Sequence, residues 1–161
     1  MDDQQFAHEV KNNSKSNTVR YITAMAVGEL GYRTDIEHGG GLRDDRRPGD
    51  VLVYNWGGGK HLLIDVAVIN PRSVSHTSTL IKEGVAGAAT EYESVKRNTY
   101  SDIDPSKYEF IPFVVESSWG VGQAAMSFCK ELEDRREAKE YWKNIAGGRK
   151  LDMVAESSIL C

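Results

Sequence analysis

Apolar residues along this chain fall into two patterns, one recurring every third or fourth position and one of short unbroken runs. The first pattern predicts a helix from Thr18, with Val19, Ile22, Met25, Ala26 and Leu30 in one stripe and Gly31 as its C-terminal stop. Residues 32–37 alternate enough for a first strand. Residues 51–54 and 62–69, both rich in β-branched side chains, read as two strands joined by a glycine-rich turn over 55–60. Asn70-Pro71 ends the second. Residues 80–100 predict a helix with Val85, Ala88, Ala89, Tyr92 and Val95 on one face, its start weakened by Gly84 and Gly87. Residues 108–115 are strongly β-like, and Pro112 within them argues for a bulge or an edge position. A long helix follows from Val121 towards Ile145, marked by Ala124, Phe128, Leu132, Tyr141 and Trp142, with Gly147-Gly148 closing it. The charged stretch 130–143 reads as its solvent face.

The order α-β-β-β-α-β-α suggests an α/β sandwich, a mixed β-sheet flanked by helices. Residues 1–17 make a polar N-terminal segment, 18–148 the folded domain and 149–161 a C-terminal tail. A chain of 161 residues is long enough to bury a core as one domain. Its 40% hydrophobic and 27% charged content is that of a soluble globular protein. The net charge of −4 argues against a surface coated in basic patches, although local basic groups can still meet phosphate beside an acidic centre. Neither Cys129 nor Cys161 has a Cys or His at zinc-ligand spacing, which points to a reducing compartment. No apolar stretch approaches membrane-spanning length and the N-terminus carries no signal-peptide core, so a soluble intracellular protein is expected, nucleus or cytoplasm left open.

One residue breaks the hydrophobic pattern. Asp65 stands in the middle of eight otherwise apolar residues, where a carboxylate is costly unless something pairs with it. Alternation puts Leu63, Asp65, Ala67 and Ile69 on one face and Leu62, Ile64, Val66 and Val68 on the other. If Tyr54 opposes His61, paired positions sum to 115 and Asp50 opposes Asp65. Like charges so placed repel unless they share a proton or a cation, which suggests a divalent-metal site on a sheet. A slip of one residue would separate them.

Each of these residues also has a plainer role to weigh. Pro48-Gly49-Asp50 is a common turn signature. Asp65 could accept a buried hydrogen bond or a structural salt bridge. Arg43, Arg46 and Arg47, among Asp44 and Asp45, suit a solvated turn. Glu93, Lys96, Arg97 and Tyr100 follow at helical steps, so Lys96 either reaches over the sheet or pairs with Glu93 on the surface.

The order of elements, with Asp50 in RPGDVLV, Asp65 in LLIDVAV, and Glu93, Lys96 and Tyr100 in an ExxKxxxY pattern, resembles the PD-(D/E)xK restriction-endonuclease-like nucleases. More specifically it looks like the endonuclease domains of site-specific non-LTR retrotransposons. The resemblance spans roughly residues 20–132 and implies a restriction-endonuclease-like core. It implies Asp50, Asp65 and Lys96 as catalytic residues, Mg²⁺ or Mn²⁺ on Asp50 and Asp65, and Glu37 as a further acidic ligand. Arg46, Arg47 and Lys60 would contact DNA phosphates. Restriction-like domains often cut as dimers, so a homodimer is among its expectations. One departure is plain: the lysine usual two residues after the second acid is Ala67 here, and Lys96 on the following helix takes its place. Thr99 stands where a second basic residue often precedes the tyrosine. The expected activity is metal-dependent DNA cleavage. The alternatives are a catalytically inactive nucleic-acid-binding or assembly module of the same fold, and an unrelated α/β interaction protein.

Overall fold

The computed structural model of the chain describes residues 3–36, 49–72 and 86–157, the side chains of 3–13 and 145–157 excepted. Along it run α1 (Asp3–Glu29), β1 (Thr34–Ile36), β2 (Val51–Gly57), β3 (Lys60–Ile69), α2 (Gly87–Thr99), β4 (Tyr108–Glu116) and α3 (Gln123–Ser157). The predicted order of elements is the observed one. The terminal helices extend further than expected: α1 takes in most of the polar N-terminal segment, and α3 runs through Gly147-Gly148 into the predicted tail.

The four strands lie in sequence order, β1-β2-β3-β4. The first three form an antiparallel meander, and β4 returns parallel to β3 after the α2 crossover. This is a mixed sheet in an α/β protein. β3 is interior and covered on both faces, which is why every residue from Leu62 to Val66 is buried. Pro112 sits on β4, paired only with β3, where its missing N–H leaves no gap in a ladder. Gly58 and Gly59 turn the hairpin at φ 56 and 78, positive at both central positions as a two-residue turn requires.

One side of the sheet packs Val51, Val53, Leu62, Ile64, Val66 and Phe113 against Ala24 and Val27 of α1 and Ala125 and Phe128 of α3. The other side sets Ile69 and Val114 against Ala88 and Ala89 of α2. The two faces assigned to β3 from alternation are therefore the two cores.

The helix faces differ from expectation. On α1 the buried residues are Thr23, Ala24 and Val27, while Ile22 and Met25 are 61% and 66% exposed. On α2, Val95 is half exposed and Glu93 takes a buried position. Tyr141 and Trp142 project from α3 beyond the sheet. On α2 and α3 a charged residue with a partner in the fold, Glu93 and Arg135 respectively, takes an inward position.

Three such polar contacts fix the helices. Glu116, buried at the end of β4, accepts a hydrogen bond at 3.3 Å from the Ala89 N–H in the first turn of α2. A carboxylate there satisfies an orphan donor and complements the positive end of the helix. Glu93 does the same for α3. Arg135 of α3, in the stretch expected to face solvent, instead lies 3.8 Å over the ring of Trp56 and donates to Tyr32 Oη at 2.6 Å and to the Trp56 carbonyl at 3.2 Å. It clamps α3 across the tip of the hairpin.

Candidate functional site

The register of the hairpin decides whether the two aspartates meet. Val51 pairs with Ile64, Leu52 with Leu63 and Val53 with Leu62, so the paired positions do sum to 115. Between Val53 and Gly57 the register shifts, with Asn55 at φ 54. Tyr54 and His61 therefore meet through their rings, 5.5 Å between centroids, at the point where the ladder slips. The slip lies towards the turn; at the other end the ladder runs as far as Val51 with Ile64, and the Asp50 N–H bonds the Ile64 carbonyl, so the expected pairing of Asp50 with Asp65 is not formed by the backbone.

At that other end Asp50 takes over from the backbone ladder. Its N–H donates to the Ile64 carbonyl at 2.8 Å, and its Oδ2 accepts from the Val66 N–H at 2.7 Å. A side-chain oxygen thus stands where the next strand carbonyl would be. Gly49, at φ 104, allows the entry into this arrangement. The other oxygen, Oδ1, is 2.8 Å from Nη2 of Arg20, which reaches over from α1. Asp50 therefore bonds the facing strand and an α1 guanidinium with its side chain, and caps no local turn among the described residues.

Asp65, on the α2 side, is engaged at both oxygens. Lys96 Nζ lies 2.7 Å from Oδ2, and Tyr100 Oη donates to Oδ1 at 3.3 Å. The ammonium is off the hydrogen-bonding direction of Oδ2, which otherwise has no donor among the described residues. Lys96 passes near the rings of Tyr92 and Tyr100, 5.8 Å from each centroid, so two aromatic faces flank the charge. Of the two options for Lys96, the inward one holds: its partner is Asp65 and not Glu93.

The charges act on one another. Burial raises the Asp50 carboxyl above its ordinary value, an effect that the Val66 N–H and Arg20 oppose, that Asp65 reinforces, and that Lys96 also opposes. For Lys96 burial works against the ammonium, but the close contact with Asp65 and its charge outweigh it and the net shift is upward. Lys96 is therefore a cation at neutral pH, a donor and not a base.

Asp65, Lys96 and Tyr100 are thus in direct contact between β3 and α2, and Asp50, just before β2, lies near enough for its carboxyl to feel the charges of Asp65 and Lys96. Glu93 of the same helical motif is not among them: its carboxylate turns to the start of α3. Lys60 sits at the hairpin turn, five residues along β3 from Asp65, or about 17 Å at strand rise, so a phosphate it met would lie away from the carboxylates. Glu37, Arg46 and Arg47 lie outside the described residues. Arg20 is the member that the sequence did not indicate, since its partner Asp50 lies far along the chain and no local pattern marks it.

Among the described residues no cluster of three or more His, Cys, Asp or Glu side chains is placed to hold a metal ion. The described donor set is two buried carboxylates, Asp50 just before β2 and Asp65 in β3, with one oxygen, Asp65 Oδ2, beside Lys96 but lacking an aligned donor. Those donors fit Mg²⁺ or Mn²⁺, which take a few carboxylates and complete their shell with water and substrate oxygens. Among the described residues no helix is long and apolar enough to cross a membrane. The class defined by this fold and site is an α/β protein with a buried acid–base cluster at one end of a mixed sheet. Compared with protein-family models and with curated proteins, the chain matches none of them.

Proposed function

We propose that this chain is a metal-dependent endonuclease domain with a restriction-endonuclease-like core, hydrolysing DNA phosphodiester bonds and related to retroelement endonucleases. The observation that carries the reading is the 2.7 Å contact between Lys96 Nζ and Asp65 Oδ2. A lysine absent from the strand of the second acid is supplied by the next helix, beside an Asp50 held in the same charged cluster.

Asp50 and Asp65 would hold Mg²⁺ or Mn²⁺, which supplies Lewis acidity and makes water a stronger acid. The chain's own groups do the rest. The Val66 N–H fixes the Asp50 carboxylate and the Tyr100 hydroxyl orients that of Asp65. Lys96, protonated, orients the attacking water or stabilises the negative charge that grows on the phosphorus-bound oxygens. Its aromatic flanks keep the ammonium desolvated, which strengthens that effect. The scissile phosphate would sit over the aspartate pair, with the flanking duplex contacted by basic groups that position it without reading sequence.

Nicking of supercoiled plasmid with Mg²⁺ or Mn²⁺ by wild type and by Asp65→Ala tests the assignment. Cleavage by the wild type alone is expected, and equal cleavage by both refutes it.

A second reading is favoured by one observation. Asp50 and Asp65 are each already matched by one cation, so the cluster is internally neutral and can act as a structural ion-pair network. In that case the chain is a non-catalytic nucleic-acid-binding or assembly module. Salt-dependent DNA binding without cleavage, unchanged by Asp65→Ala, would identify it.

A further inference from the structure

Arg20 is tied into the site by charge and little else. Nη2 lies 2.8 Å from Asp50 Oδ1, with the two side chains 21% and 8% exposed. Nη1 donates at 3.3 Å to Asn17 Oδ1, one turn back on an exposed stretch of α1. Nε is buried and has no hydrogen-bond partner among the described residues. A guanidinium with an idle buried donor has not reached the full satisfaction that buried polar groups normally show.

Its position conflicts with the ligand role of Asp50. Oδ2 of that carboxylate already accepts from the Val66 N–H, which leaves it one lone pair, so Oδ1 is the freer oxygen for a further cation, and Arg20 already stands on it. A divalent ion at its usual distance of about 2.1 Å from Oδ1 would lie within about 5 Å of Nη2, where repulsion is strong in a partly buried site.

We propose that Arg20 is a resident counter-cation that competes with the divalent ion for Asp50, and that the guanidinium released on metal binding becomes a phosphate contact. This rests on the metal-dependent reading above. Before the ion arrives, Arg20 offsets the charge of Asp50 and keeps the carboxylate in place. When the ion binds, the side chain swings towards Asn17 and the solvent edge. There its planar fork suits two phosphate oxygens at once. Metal and substrate are thereby coupled, because each favours the state in which Arg20 has left Asp50.

Calorimetric titration of Mn²⁺ alone into wild type, Arg20→Gln and Arg20→Lys tests the first half. Arg20→Gln should bind Mn²⁺ about tenfold more tightly than wild type, the size of an ordinary coupling, while Arg20→Lys stays near wild type. Unchanged or weaker binding by Arg20→Gln overturns the competition and leaves the metal reading standing. No Mn²⁺ binding by any of the three overturns both.

A measurement on the wild type guards against misfolding of the variant. The Arg20 Nε–H resonance, identified by its loss in Arg20→Lys, should shift with added Mg²⁺ over the range that shifts the Val66 amide. An Nε–H that stays put while that amide moves overturns the displacement. For the second half, duplex DNA binding is measured with Ca²⁺ in place of Mg²⁺. Arg20→Gln should bind more weakly, with a salt dependence shallower by about one phosphate contact. Equal slopes remove the phosphate role.

Discussion

The Glu93 carboxylate on α2 accepts hydrogen bonds from the backbone N–H groups of Ala124 and Ala125 at the start of α3, at 2.9 Å to Oε2 and at 3.1 and 3.2 Å to Oε1. The side chain is buried, and Gly122 packs so closely against it that a Cβ there would collide with Oε1. Glu93 joins the helix that carries Lys96 to the helix that covers the opposite face of the sheet. It holds the frame of the site and is not a ligand in it.

Glu93→Ala should therefore destabilise the fold by about 1–3 kcal/mol, the cost of leaving helix N-terminal donors unpaired. The urea midpoint reports it. Cleavage per folded molecule should stay near that of wild type; a loss of cleavage at unchanged stability would return Glu93 to the site.

Lys96→Met should act on both properties. Asp65 would remain as a buried carboxylate without its cation, costing about 2–4 kcal/mol. Nicking should fall by roughly a hundredfold or more, as for loss of a charge-stabilising donor. Lys96→Arg keeps the pair and should recover most of the stability but not the rate, because a planar fork cannot place one donor where the ammonium stood. Full activity in Lys96→Met would exclude the lysine from the chemistry.

The raised carboxyl of Asp50 gives a pH dependence of defined sign. From the ordinary aspartate value near 4 up to the raised one, the folded chain holds a proton that the unfolded chain has released. The unfolded state then binds fewer protons, so this contribution is full at low pH and is lost as pH rises through the window. Urea unfolding of metal-free wild type and Asp50→Asn from about pH 4 to 7 should show the wild type losing ground relative to the variant. A difference independent of pH would contradict the shift. In cleavage the proton competes with the metal, so the acid limb of the rate profile should move to lower pH as Mn²⁺ is raised.

Gly49→Ala tests how tightly the entry to Asp50 is set. At φ 104 a side chain is strained, and its Cβ would lie 3.2 Å from the Ile64 carbonyl oxygen that receives the Asp50 N–H. A cost of about 1–3 kcal/mol is expected, with a further loss of Mn²⁺ affinity because Asp50 must shift. Gly58→Ala, at φ 56 with no atom within 4 Å of its Cβ, should cost about 1 kcal/mol and leave Mn²⁺ binding intact. Equal Mn²⁺ affinities in the two variants would show that Asp50 does not depend on Gly49.

How far the site was legible follows from the range of each interaction. Asp65 was visible because an acid in an apolar run violates the pattern around it. The register of residues 51–53 against 62–64 was not fixed by the glycine turn, because Gly57 pairs with Lys60 two positions out of phase with it and the shift between Val53 and Gly57 makes up the difference. Lys96 was visible only as a residue at helical spacing, with an equally good partner in Glu93. Arg20 was not legible as a site residue, since nothing local to α1 indicates that Asp50 lies beneath it.

The sequence by itself determined the elements, their order and the two faces of β3. All of these follow from periodicity and turn chemistry, which act between near neighbours. Only the tertiary structure decided which polar residues turn inward. Arg135 bonds Tyr32 across 103 positions, and Glu93 bonds Ala125 across 32. Such pairs form only after helices and sheet have docked, and each then holds an inward position because an unpaired buried charge or helix terminus costs more than one exposed side chain.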